Sequence, residues 1–145
     1  MDSKTVFMRK INLKKASVGL REDDIVETDI FPEEELSVAD IKEIVEAIVE
    51  VSDRRMMPQL IVAGELSGPD LDAMRYLAKK ESSPTAIAEA YVIRSLSQKI
   101  IGKFYLSINK PARPTKMFGK EEDALDWLKE EARKYWSKQS TNKKT

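Results

Sequence analysis

The apolar residues of this sequence recur with a period that switches from two residues to 3.6 and back along its length. Ile41, Ile44, Val45, Ile48 and Val49 form one stripe of an amphipathic helix. Ser37 and Asp40 make a variant capping box at its start, with a hydroxyl for an orphan amide and a carboxylate at the positive helix end. Burying the five aliphatic side chains contributes at most about 7–15 kcal/mol against about 1 for the cap, so packing decides this helix. The run Pro58 to Gly64 is apolar without alternation, which predicts a central, parallel strand covered on both faces.

The same exchange repeats downstream. Gly68-Pro69 is predicted to open a helix carrying Leu71, Met74, Leu77 and Ala78, and Ser82-Ser83-Pro84 breaks the chain before a strand at Ala86–Ile93. Ser95 and Gln98 form a second capping box for a helix bearing Leu96, Ile100, Ile101, Phe104 and Ile108, ending near Asn109-Lys110-Pro111. Pro114–Phe118 is short enough only for a strand, and Glu121-Glu122-Asp123 open a last helix with Ala124, Leu125, Leu128, Ala132 and Tyr135. Upstream, Val6 and Met8 start an alternation that continues through Ile11 and Leu13 after a slip near Arg9-Lys10. Ala16–Arg21 and Ile25–Phe31 flank Glu22-Asp23-Asp24 as a hairpin, closed by Pro32 and the carboxylates Glu33 to Glu35. This order predicts an α/β fold: a mixed, mostly parallel sheet of five or six strands, four helices, and an antiparallel hairpin at the N-terminus.

With 145 residues, the chain suits one domain, assigned to residues 1–136. Ser137–Thr145 has no apolar side chain to offset the entropy of ordering it and is expected to be a disordered polar tail. The 25 basic and 25 acidic side chains balance, which gives no sign of a nucleic-acid binder. No apolar run is long enough to span a membrane and none near Met1 resembles a secretory core, so a cytoplasmic location is expected. With neither Cys nor His, the chain supplies no thiolate, imidazole or disulfide. Gly64 and Gly68 do not make a dinucleotide fingerprint, and Glu33–Glu35 and Glu121–Asp123 lack calcium-loop spacing. The expectation is therefore no catalytic residue, no metal and no cofactor.

Four segments carry a family resemblance: Leu36–Ile44, Leu60–Val62, Asn109–Phe118 with its Asn-Lys-Pro and Pro-Thr pairs, and Asp123–Leu128 with Ala-Leu-x-Trp-Leu. Across about residues 16–132 the chain resembles the SpoIIAA-like proteins of the STAS superfamily. The resemblance implies a non-catalytic binding or regulatory module, like the anti-sigma-factor antagonists, acting on a regulatory protein partner. Those relatives carry a phosphorylated Ser at the start of the helix after the central strand, and Glu65-Leu-Ser-Gly-Pro-Asp70 puts Ser67 at that place without their Asp-Ser pair. The plainer reading is that Ser67 or Gly68 starts a helix.

On the third helix, Phe104 and Tyr105 beside Ile100 and Ile101 make the apolar surface wider than one packed face requires. Together with Trp127 and Trp136 on the last helix, these residues are expected to face a homodimer partner, wall a ligand site, or pack on the sheet. An alternative function follows, a carrier of a small lipid-like ligand held in a cleft between the third and fourth helices.

Overall fold

The computed structural model describes residues 5–108 and 111–143. Its elements run β1 (Phe7–Asn12), β2 (Ala16–Arg21), β3 (Val26–Ile30), β4 (Glu35–Leu36), α1 (Val38–Val51), β5 (Met57–Ala63), β6 (Gly68–Pro69), α2 (Leu71–Leu77), β7 (Ala86–Val92), α3 (Leu96–Ile108), β8 (Thr115–Phe118) and α4 (Glu121–Lys143). A single turn of 3-10 helix, Lys80–Ser82, lies between α2 and β7. Six strands form one sheet in the order β1-β2-β3-β5-β7-β8, and β4 and β6 form a separate two-residue pair. The first three strands are an antiparallel meander and the remaining pairings are parallel. This is the expected mixed α/β sandwich with its N-terminal hairpin.

Strand order decides which face each helix takes. From β3 the sheet grows in one direction only, through β5 and β7 to β8. Right-handed crossovers therefore carry α1, α2 and α3 over the same face, and α4 folds back over the other. Val18, Val26 and Ile30 pack against Ile41, Ile44 and Ile48 of α1, with Ala73 of α2 behind them. Leu60, Ala90 and Val92 meet Ala124 and Leu128 on the α4 side. Phe118 and Trp127 add a tilted ring pair there, with centroids 5.7 Å apart.

The caps form as the spacing predicts. Ser37 Oγ accepts from the Asp40 amide at 3.2 Å while the Asp40 carboxylate accepts from the Ser37 amide at 2.8 Å. Lys15 also donates to Asp40 at 2.8 Å, and it is the Lys15 and Ser37 donors that hold this carboxyl below its ordinary range.

Three local expectations are corrected, and a fourth falls outside the described residues. Val6 and Met8 are exposed, because a register shift between Phe7 and Arg9 turns Phe7 inward, where its ring lies against Gly19. Gly68-Pro69 does not open a helix. It pairs with Glu35-Leu36, and Asp70 caps α2 by accepting from the Ala73 amide at 2.8 Å. The polar segment after Trp136 is not a loose tail as far as Lys143: it continues α4. Extending a helix that packing has already nucleated adds a backbone hydrogen bond per residue without repeating the nucleation cost. Finally, Asn109 and Lys110, where α3 was expected to end, lie outside the described residues.

On the α4 side of the meander, Arg21 donates to Glu27 at 2.8 Å and to both oxygens of Asp23. Burial, reinforced by Asp29, pushes the Glu27 carboxyl up to about 7, with Arg21 pulling the other way. A carboxyl raised in the fold stabilises the protein below its ordinary value of 4.5, and that stability is lost as pH rises to about 7. The melting temperature of Glu27→Gln relative to the parent should therefore rise between pH 5 and pH 8, as calorimetry across that range would show. A flat difference would mean that Glu27 titrates normally. For the core, Leu128→Ala should cost about 2–5 kcal/mol in urea unfolding. Trp136→Ala, at a site 51% exposed, should cost less than about 1 kcal/mol.

Candidate functional site

Three helices share a sheet face that they do not fill. α2 has seven residues and is about 10 Å long, whereas β5 and β7, also of seven residues each, run about 23 Å. Under α1 and α2, and along the side walled by α3, a cavity of about 130 Å³ remains. That is comparable with cavities that hold a benzene-sized molecule. Its floor is made of neighbouring rows set by the parallel register. Thr28, Ile61, Tyr91 and Met117 form one row, Ile30 and Ala63 a second, and Gln59 with Glu89 a third. The helices add Ile44, Ile48, Met74 and Leu77, so the walls are almost entirely apolar.

Gln59 is the exception. It is 2% exposed, and neither its amide oxygen nor its amide nitrogen has a hydrogen-bond partner among the described residues. A buried amide left unpaired costs about 1–3 kcal/mol, and both polar atoms of this side chain are covered by the atoms packed around them at the cavity wall.

Its neighbour in the row is satisfied. Glu89 accepts from Ser83 Oγ at 2.9 Å and from Arg113 Nε, which reaches in from the segment before β8. Arg113 also donates to the carbonyls of Leu77 at 2.6 Å and Lys79 at 3.0 Å, capping the C-terminal end of α2 with a cation. Burial pushes the Glu89 carboxyl up, opposed by Arg113 and Ser83. The pair thus closes one end of the cavity and offers it no free charge.

At the other end of this partly open cavity stands Gln98. Its capping box with Ser95 forms as expected: the Gln98 amide donates to Ser95 Oγ at 3.1 Å, and Gln98 Oε1 accepts from Arg94 and Ser95. The same side chain does more than cap, since Nε2 donates to the carbonyls of Gly64 at 2.8 Å and Ser67 at 3.1 Å. It latches α3 to the turn after β5. In that turn an added Cβ on Gly64 would stand 2.3 Å from the Ile30 carbonyl oxygen, so only glycine allows the approach.

The predicted site residues separate. Ser67 lines the cavity but lies three residues before the α2 cap, so it does not start a helix. It is 5% exposed and donates through Oγ to the Gly64 carbonyl at 2.7 Å. Ile101 also lines the cavity and is 40% exposed, whereas Ile100, at 60%, points away from it. Phe104 and Tyr105, as side chains, lie outside the described residues. Trp127 packs on the opposite face against Phe118, so the cleft expected between the third and fourth helices does not form: the sheet stands between α3 and α4. The apolar cavity lies instead among α1, α2, α3 and the sheet.

Gln59, Glu89 and Arg113 were missed in the sequence, although a signal was present. Gln59 and Glu89 are the polar interruptions of otherwise apolar strands, and a polar residue inside a doubly covered strand needs a partner or a ligand.

The crystal structure of an uncharacterised protein of the DUF3478 family with a SpoIIAA-like fold, from Shewanella loihica PV-4, superposes with a TM-score of 0.54 at 18% identity, covering 81% of this chain and 97% of that one. The SpoIIAA-like fold is thus shown. No curated protein matches the chain. Residues 19–132 match the model of DUF7793, a domain of unknown function, and the chain belongs to that family.

Proposed function

We propose that this domain is a binding module for a small, mainly apolar ligand that carries one uncharged hydrogen-bonding group. The ligand occupies the cavity beneath α1, α2 and α3. The observation that carries this reading is Gln59, an amide in the wall of a largely apolar chamber whose two covered polar atoms have no partner among the described residues. Both atoms are covered in the empty chamber, so a ligand hydroxyl or amide would recover the cost of that burial once the Gln59 side chain turns toward it, while the apolar walls take the rest of the molecule. Recognition rather than chemistry fits the remaining polar lining, because Glu89 is bound to Arg113 and Ser83, and Ser67 to Gly64. The partner-switching role implied by the STAS resemblance draws less support. A phosphate on Ser67 would require the turn latched by Gln98 to open.

Gln59→Leu tests the reading directly. Without ligand this variant should be more stable than the parent by about 1–2 kcal/mol in urea unfolding, since it removes an unpaired amide at similar volume. With toluene, benzyl alcohol and benzamide as probes in isothermal titration, the parent should prefer the two polar probes by about tenfold and the variant should lose that preference. Equal binding of all three by the parent, or no binding of any, would refute the proposal.

A further inference from the structure

We infer that α3 docks this domain on the surface of an anionic lipid bilayer. Leu96 is 74% exposed, Ile100 60% and Ile101 40%, an unusual concentration of bare aliphatic surface on one short helix. Leu96 and Ile100 are four residues apart and so stack on one face, and the exposed Lys99 and Lys103 stack in a second row beside them. α3 itself carries two cations, Lys99 and Lys103, and no Asp or Glu, although the chain's net charge is zero. Elsewhere the exposed helical surface mixes signs, as in the Arg133–Glu130 and Lys134–Glu131 pairs of α4. Among the described residues of the helices, α3 combines a bare apolar row with cations alone.

That composition fits an interfacial helix. The aliphatic row enters the acyl boundary, lysine stems lie along it, and the ammonium groups reach lipid phosphates. Other occupants fit less well. A symmetric pairing of two copies through α3 would bring the two cationic rows of Lys99 and Lys103 together, and a nucleic acid would leave Leu96 and Ile100 in water. Docking on this side would bring lipid against the helix that walls the cavity. The inference nevertheless stands without the ligand reading, because Leu96, Lys99, Ile100 and Lys103 do not line the chamber.

The full chain should co-sediment with vesicles containing equal phosphatidylcholine and phosphatidylglycerol, but not with phosphatidylcholine alone, and added salt should weaken the binding. The pair Leu96→Ser with Ile100→Ser and the pair Lys99→Glu with Lys103→Glu should each reduce binding about tenfold or more while the melting curve stays unchanged. Three results would overturn the inference. These are no sedimentation of the parent, loss with the charge pair only, which marks simple adsorption, and a lipid-free dimer in ultracentrifugation that the apolar pair abolishes. Benzyl alcohol titrated into the same variants should bind as it does to the parent, so failure of docking and failure of the cavity are told apart.

Discussion

The handedness of β-α-β crossovers governs this molecule. Once β3, β5, β7 and β8 are added in one direction, the helices that connect them have no choice of side, and three of them must share a face about four strands wide. At roughly 10 Å in diameter against a strand spacing of about 4.8 Å, they cannot all lie flat on those strands. α1 moves outward over the meander, α2 shortens to two turns, and α3 is held by the Gln98 latch beyond the short helix. The cavity is the space left by this crowding. α4 has the opposite face to itself and packs closely, which is why Leu60, Ala124 and Leu128 are fully buried.

This explains what could be seen in the sequence. Period and caps are local, so α1, β5, β7 and both capping boxes were legible from residues such as Ile44, Ser37 and Gln98. Facing is not local. Phe104 and Trp127 have similar apolar contexts, and only strand order puts the third and last helices on opposite sides of the sheet. The two-residue pairing of Glu35-Leu36 with Gly68-Pro69 was illegible for a related reason, since it depends on loops meeting rather than on periodicity. The slip near Arg9-Lys10 was visible as a fault in the alternation. Its consequence, Phe7 seated on Gly19, needed the partner strand.

The buried polar groups divide into two kinds. Glu89 with Arg113 joins β7, the approach to β8 and the end of α2, so removing either partner would strand a charge in the interior. Gln59, one strand away in the same row, has no side-chain hydrogen-bond partner among the described residues. The contrast is informative because both side chains hang from central parallel strands at equivalent positions. One side chain ties three elements together, and the other has no side-chain partner among the described residues.

The two margins of the sheet have a further effect. β8, at one margin, is four residues long, and β1, at the other, is interrupted by its irregularity and carries Arg9 and Lys10. Neither offers a long, flat row of open peptide groups to an extended neighbour. Growth of the sheet by accretion of foreign or unfolded chain, the usual hazard of an open β-layer, is therefore resisted at both ends.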